Sequence, residues 1–126
     1  MTDEAIKLWE PSEDRRRATQ IAAFMDAVNA RFGTEISDYD ALWRWSVDNR
    51  EDFWEAVWDF GGVIGDKGSR RLADGDAMPG AKFFPDARVN FAENLLRRDG
   101  DGDAMVFWGE DKVKRRLSWA EVRAAV

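Results

Sequence analysis

Side chains that could do chemistry are of few kinds in this 126-residue sequence, because it contains no histidine and no cysteine. Without histidine there is no Ser-His-Asp triad and no imidazole base near neutral pH. Without cysteine there is no disulfide, thiolate metal site or cysteine nucleophile. Carboxylates remain and could bind Mg²⁺ or Ca²⁺, but none has the spacing of a calcium-binding loop. Taken alone, the sequence therefore lacks most of the side chains that enzymes commonly use for catalysis.

Two short segments invite comparison with ligand-binding loops. Gly65–Gly68 reads GDKG, but a phosphate-binding P-loop needs GxxxxGK[ST] between a strand and a helix, and no apolar strand leads into this segment. Asp74–Asp76 reads DGD, but Pro85 occupies the position where a calcium loop has its closing glutamate. We interpret both segments as turns.

Charge is unevenly distributed along the chain. The net charge is −6, with 14 acidic and 7 basic residues in 1–63 and 11 acidic and 12 basic residues in 64–126. This balance argues against a general nucleic-acid binder, which needs a basic surface. The basic run of the second half, Lys112, Lys114, Arg115 and Arg116, predicts a strand edge protected by charge. A contact with an anion or an acidic partner is the alternative.

Hydropathy and the N-terminus predict a soluble, intracellular and cytoplasmic protein. No apolar run reaches the roughly 18 residues that a membrane-spanning helix needs. The segment Met1–Glu4 is acidic and has no apolar core, so it is not a secretory signal.

The first half predicts three helices with apolar faces. Ser12 is a suitable N-cap for a helix of about five turns that ends at Gly33. Asp38 is placed to cap a second helix, and Asn49 begins a capping-box-like start to a third. The apolar positions of these helices are Ile21, Phe24, Met25, Val28, Phe32, Leu42, Trp43, Trp45, Phe53, Trp54, Val57, Trp58 and Phe60. Their spacing predicts core packing.

The second half predicts mixed structure. Residues 61–90 read as an irregular connection in which Phe83-Phe84-Pro85 forms an extended strap with the two rings on opposite sides. Asn90 caps a short helix that reaches Arg98. Ala104–Trp108 reads as a buried strand, and 112–117 returns as a polar strand of the same hairpin. A capping box at Ser118 begins a helix that the sequence does not close, which we interpret as the front part of a longer protein.

Several motifs in combination resemble one enzyme family. The succession "DYDALWRWSVDNREDFWEAVWDFGGVIG", "MPGAKFFPDARVNFAENLL", "MVFWGED" and "LSWAEVRAAV" resembles the N-terminal part of acetoacetyl-CoA synthetases (acetoacetate–CoA ligases). The resemblance runs from about Leu8 to Val126. Val89 stands where the family pattern leads us to expect leucine. The Met78–Ala81 lead-in favours the acetoacetyl branch over the acetyl branch of these adenylate-forming ligases.

The resemblance implies an α+β segment: an aromatic-rich helical cap over 1–98 and, over 99–126, the incomplete start of a large α/β AMP-binding domain. It implies that the whole enzyme uses ATP, Mg²⁺ and CoA to convert acetoacetate through an acyl-adenylate, with the remainder of the ligase chain as the partner of this segment. The family's phosphate loop, nucleotide signatures and mobile lysine have no match here. The resemblance therefore implies no catalytic, cofactor-binding or metal-binding residue in this segment.

Two other interpretations stay open at the level of sequence. The chain could be a free-standing helical interaction module, with the tryptophan face between Trp43 and Trp58 exposed for a partner. It could also be the same region of an acetyl- or propionyl-CoA synthetase.

Overall fold

A computed structural model describes residues 8–126, and Met1–Glu4, on which the prediction about a secretory signal rests, lie outside this range. Helices and short antiparallel sheets give the α+β composition that the sequence predicted. The contacts divide the chain into two units, one ending at Gly62 and the other running Val63–Val126. The boundary that the resemblance places between residues 98 and 99 stays a prediction.

The first unit is helical and consists of α1 (Glu13–Arg17), α2 (Gln20–Phe32), α3 (Tyr39–Asp48) and α4 (Arg50–Phe60). The predicted caps at two helix starts are present: Ser12 accepts a hydrogen bond from the Arg15 amide, and Asp38 accepts one from the Ala41 amide. Gly33 ends α2 in the left-handed conformation at φ 67°, where a residue without Cβ is favoured.

The prediction of one continuous five-turn helix from Ser12 to Gly33 is wrong, because the helix is interrupted at Ala18 and Thr19. Thr19 has an extended backbone, its hydroxyl accepts a hydrogen bond from the Ala22 amide, and it donates one to the Arg16 carbonyl. Threonine competes in this way with the helical ladder. No residue of α1 is buried, so no apolar face holds α1 in line with α2.

The capping box expected at Asn49 is also wrong, although α4 begins there. The Asn49 side chain makes no N-cap hydrogen bond; its amide donates to the Trp45 carbonyl at 3.2 Å. Asn49 is the C-cap of α3 as well as the residue before α4, and its side chain serves the earlier helix.

The core of the first unit lies between α2, α3, α4 and the segment that follows α2. Its buried side chains are Phe24, Val28, Ile36, Leu42 and Ala56. Further aromatic rings extend it: Phe24 meets the half-buried Phe53 and the exposed Phe60 edge-on, at centroid distances of 6.0 and 5.2 Å. The predicted packing of the apolar stripe on α2 is confirmed at Phe24 and Val28, whereas Ile21 is exposed.

Two nested antiparallel pairs organise the start of the second unit, which the sequence had predicted as irregular. Strand β1 (Gly65–Asp66) pairs with β4 (Arg88–Val89), and between them β2 (Leu72–Ala73) pairs with β3 (Lys82–Phe83). Two-residue strands carry no periodicity, so hydropathy could not reveal them.

The remaining elements of the second unit are α5 (Phe91–Leu95), β5 (Asp103–Trp108), β6 (Lys114–Ser118) and α6 (Trp119–Ala124). Asn90 caps α5 through the Glu93 amide, and Ser118 with Glu121 forms the predicted capping box. The predicted hairpin is confirmed in β5 and β6. The helix at Asn90 is shorter than predicted, because Leu96 is its C-cap and Arg98 lies beyond it.

Three predictions about the second unit are corrected. Phe84 adopts φ 47° at the start of a turn closed by the Ala87 amide on its carbonyl, so Phe83 and Phe84 are not consecutive residues of one extended strap. Strand β5 is present, but its large apolar side chains, Met105, Val106, Phe107 and Trp108, are exposed rather than buried. Lys112 lies in the hairpin turn, before β6 begins.

Candidate functional site

The surface feature of the first unit that bears most on function is an apolar groove. It has a volume of about 360 Å³ and lies among α2, α3 and α4. Its lining residues are Ile21, Phe24, Tyr39, Leu42, Trp43, Ser46, Phe53, Val57, Phe60 and Gly61. Core residues form its floor, and partly exposed aromatic rings form its rim.

The groove offers hydrophobic contact but little chemistry. Ser46 already donates its hydroxyl to the Trp43 carbonyl at 2.7 Å, and Tyr39 carries the other side-chain hydroxyl of the lining. None of its lining residues is Asp, Glu, Lys or Arg, so the groove offers no carboxylate or amine for acid–base catalysis. Its character is that of a packing surface.

The tryptophans that sequence analysis singled out divide into two environments. Trp43 is 55% exposed at the rim of the groove, and Trp54 is 41% exposed. Trp45 and Trp58 are half-buried, and the Trp45 ring packs 5.2 Å from that of Phe32. The structure therefore places Trp45 with the core and leaves Trp43 on the surface.

An ion-pair cluster joins α2 to α4 beside this core. The Arg31 guanidinium donates to Asp59 at 2.6 Å and lies 3.2 Å from a Glu55 carboxylate oxygen. The hydrogen bond to Asp59 and the two negative charges raise the pKa of Arg31 above its usual value. These acidic groups are engaged in holding two helices together, which is a structural use.

The GDKG segment forms a turn, as predicted from its spacing. Asp66 accepts a hydrogen bond from the Gly68 amide at 2.9 Å, the type of donor that a phosphate loop directs at its ligand. Gly68 has φ 71°, and a Cβ there would lie 2.5 Å from the Asp86 Cβ, so glycine is needed for close approach.

Asp86 is held beside this turn by a two-point ion pair. Arg70 donates to its two carboxylate oxygens at 2.8 and 2.5 Å, and the Ser69 hydroxyl donates at 3.2 Å. The Arg70 hydrogen bond lowers the pKa of Asp86 to about 2. Because the charge of Arg70 is paired with a carboxylate of the same chain, we interpret this cluster as structural rather than as an anion site.

The basic run on β6 is partly engaged with β5. The Lys114 ammonium lies 4.9 Å from the centroid of the Trp108 ring, and Arg116 pairs with Asp103. Among residues 8–126, no group of three or more acidic side chains is arranged to hold a metal ion. No helix in the same range is long and apolar enough to cross a bilayer.

Two asparagines with large structural roles escaped sequence analysis. Asn94 in α5 accepts from the Ile64 amide and donates to the Ile64 carbonyl, both at 2.8 Å and across 30 residues of sequence. Asn29 in α2 makes the same two bonds to Ile36, also at 2.8 Å. Nothing in local spacing reveals such distant partners; the signal available was an asparagine on a helix, where its propensity is poor.

Comparison with known proteins places these features in a larger context. The family described as Acetyl-coenzyme A synthetase N-terminus matches residues 39–95. An acetoacetyl-coenzyme A synthetase of Rhizobium meliloti is 52% identical over 119 residues, which is 94% of this chain and 18% of that protein. A malonamoyl-CoA synthetase of Penicillium aethiopicum is 36% identical over 127 residues, covering 94% of this chain and 17% of that protein.

The fold agrees with the sequence comparison. A solved acetoacetyl-CoA synthetase from Streptomyces lividans superposes with a TM-score of 0.84 at 34% identity, over 94% of this chain and 19% of that one. The chain thus spans less than a fifth of the length of these relatives. In sequence and in fold the chain matches the N-terminal region of acetoacetyl-CoA synthetases, which confirms the resemblance predicted from its motifs.

Proposed function

We propose that this chain is the N-terminal region of an AMP-forming acetoacetate–CoA ligase and serves as a structural part of that enzyme. The whole enzyme would convert acetoacetate, ATP and CoA to acetoacetyl-CoA, AMP and pyrophosphate through an acyl-adenylate. The observation that carries the proposal is the 52% identity over 94% of the chain to an acetoacetyl-CoA synthetase. The protein would act in the cytoplasm, without nucleic acid as a partner.

ATP, Mg²⁺ and CoA would bind outside this segment, and no residue of it would touch the reacting atoms. This part of the proposal is supported by the chemistry of the described side chains. Asp59 and Asp86 are held by arginines, and no Asp, Glu, Lys or Arg lines the groove. Residues 1–98 would form the helical region, and residues 99–126 would begin the large AMP-binding domain.

The choice of acid would also lie outside this segment. The malonamoyl-CoA synthetase is 36% identical to the chain, close to the 34% of the acetoacetyl-CoA synthetase of Macaca fascicularis. Between these two more distant relatives, similarity of this region therefore does not follow the acid named for the relative. For the same reason, an acetyl- or propionyl-CoA synthetase is a competing assignment that only the whole enzyme can resolve.

A free-standing interaction module is the second candidate, favoured by the exposed Trp43 ring at the rim of an apolar groove. In that case the groove would bind a separate protein, and the 126-residue chain would be monomeric and melt cooperatively.

The test uses a ligase chimera, in which this chain replaces the matching segment of the Rhizobium meliloti enzyme. We expect the ligase chimera to form AMP and acetoacetyl-CoA from acetoacetate, ATP and CoA. The 126-residue chain alone, and the Rhizobium enzyme lacking the segment, should form none, because the phosphate-stabilising groups or their structural support are missing. A folded chimera without turnover would contradict the assignment.

A further inference from the structure

Strand β5 is apolar on both of its faces and exposed on both. Successive side chains of a strand point to opposite faces, so Met105 and Phe107 share one face while Val106 and Trp108 share the other. All four are more than half exposed. A continuous apolar run of this kind is typical of strands covered on both sides. The second unit, in the range Val63–Val126, does not itself supply that cover.

The backbone groups of β5 alternate between its two edges. The Gly109 amide donates to the Val113 carbonyl, so the pair 109 and 113 is hydrogen-bonded. In an antiparallel ladder bonded and non-bonded pairs alternate, and the register joins Phe107 to Arg115 and Val106 to Arg116. The N–H and C=O groups of Val106 and Trp108 therefore point away from β6.

The two edges of this hairpin differ in charge. The sheet has two strands, so each strand has one edge without a partner strand in the described chain. The β6 side carries Lys114, Arg115 and Arg116, and charged side chains are the usual protection against unwanted strand pairing. The β5 side carries five consecutive apolar residues, Ala104–Trp108, and its one charged residue, Asp103, lies at the start of the strand. The hairpin is thus protected on one edge only.

We infer that the free edge of β5 is a strand-docking site, occupied by an apolar β-strand from the remainder of the ligase chain. This inference rests on the proposed function. Chain length indicates the source of the strand: the same fold occupies 19% of the Streptomyces lividans enzyme, so about four-fifths of a relative is available to supply it. Main-chain hydrogen bonds to Val106 and Trp108 give the docking its register, and β6 becomes the outer edge.

The inference is tested in the ligase chimera with two matched variants. Val106→Pro removes an outward N–H of β5, and Arg116→Pro removes an outward N–H of β6 at the directly opposite position. Proline is tolerated where the lost N–H faces an open edge, so neither change should break the hairpin itself. We expect Val106→Pro to lower acetoacetyl-CoA formation about tenfold or more and Arg116→Pro to leave it nearly unchanged, because only the former removes a ladder hydrogen bond.

Amide hydrogen exchange provides a second measurement that does not depend on activity. In the chimera the Val106 and Trp108 amides should exchange about tenfold or more slowly than in the 126-residue chain, while the Lys114 and Arg116 amides stay fast. Fast exchange at Val106 and Trp108 in an active chimera would overturn the inference and leave the proposed function standing. Slow exchange in the 126-residue chain that appears only with rising concentration would identify a second copy as the occupant, which also overturns it. An inactive chimera with slow exchange at these amides would contradict the proposed function alone.

Discussion

An asparagine side chain that makes two hydrogen bonds to the backbone of a distant residue, here called an asparagine clamp, is found in each unit of the described chain. Asn29 holds the backbone of Ile36 by two hydrogen bonds, and Asn94 holds that of Ile64 by two bonds of equal length. The Ile36 side chain is buried in the core of the first unit, whereas Ile64 is exposed. Asn29 therefore fixes the backbone of a residue that packs in a core, and Asn94 fixes the backbone of a residue that is accessible to water.

The two units differ in the same way as a whole. The first buries Phe24, Val28, Ile36, Leu42 and Ala56 against one another, whereas Val122 is the one buried apolar side chain among residues 63–126. The second unit is held by two-residue ladders, the β5–β6 hairpin, helix caps and the Arg70–Asp86 pair. Burial of apolar surface is the dominant favourable term in folding. We therefore expect the first unit to be stable by its own packing and the second to depend on surfaces that cover it.

Truncating a phenylalanine in each unit is the strongest test of this comparison. Phe24 is 8% exposed, so Phe24→Ala should lower the free energy of unfolding by about 3–5 kcal/mol. Phe107 is 60% exposed, and Phe107→Ala in the 126-residue chain should cost less than about 1 kcal/mol. Urea unfolding followed by far-ultraviolet circular dichroism measures both. Equal losses would show that the second unit has a core of its own.

Removing each asparagine clamp should also lower the free energy of unfolding more in the first unit than in the second, but by a smaller difference than the phenylalanine truncations. Asn29→Ala leaves the Ile36 amide and carbonyl without partners beside the core, which should cost about 2–3 kcal/mol. Asn94→Ala exposes the Ile64 backbone to water, which replaces the lost bonds, so the cost should be about 1 kcal/mol or less. Denaturant unfolding monitored by amide exchange at Ile36 and Ile64 separates the two effects. A greater loss from Asn94→Ala would reverse the comparison.

Local features of the fold were readable from the sequence, because their partners lie within a few residues. Ser12, Asp38, Asn90 and Ser118 were all recognised as N-caps, and each accepts the expected amide hydrogen bond. Thr19 was overlooked because the apolar stripe of α2 begins close by and suggested an unbroken helix. A stripe reports which face is buried, but it does not report where the helix starts.

Features that depend on distant contacts were not readable. The apolar run of β5 predicted a buried strand, but an apolar run does not reveal whether the covering residues belong to the same unit. The nested ladders pair residues across as much as 24 positions and have no period of their own. The same holds for the candidate site. The lack of catalytic motifs could be read from the sequence, whereas the groove could not, because it forms only where α2, α3 and α4 pack together.

Trp54 offers a test of how far the density of aromatic residues predicts a core. Sequence spacing placed Trp54 with the packed residues of its helix, and the structure leaves its side chain 41% exposed, with its ring 5.3 Å from that of Phe53. Trp54→Ala should therefore cost about 1–2 kcal/mol, below the 3–5 typical of a buried aromatic residue. Thermal unfolding compared with that of Phe24→Ala measures the difference. A loss of stability as large as that of Phe24→Ala would show that Trp54 contributes to the core as a buried residue does.

The smallest effect on stability is expected at Asp86, whose ion pair with Arg70 is one of the polar contacts that hold the second unit together. The hydrogen bond from Arg70 holds the pKa of Asp86 at about 2 in the folded chain, against a reference value of 3.8. Because the folded-state pKa is the lower one, the unfolded chain takes up the proton first as pH falls. The stabilisation is thus complete above about pH 4 and is lost towards pH 2. Carbon-13 NMR of the Asp86 carboxyl should show a midpoint near 2.

Two variants, one of them a control, test whether Arg70 causes the lowered pKa of Asp86. Arg70→Gln removes the first cause of the shift and should raise the Asp86 midpoint towards 3.8. Glu121→Gln removes another carboxyl whose pKa is lowered, there by the Ser118 backbone amide, and should leave the Asp86 midpoint in place. Acid unfolding of each variant then separates the two carboxyls. A wild-type midpoint near 3.8 would mean that the Arg70 pair does not persist in solution, and the cluster beside Gly68 would lose its main polar support.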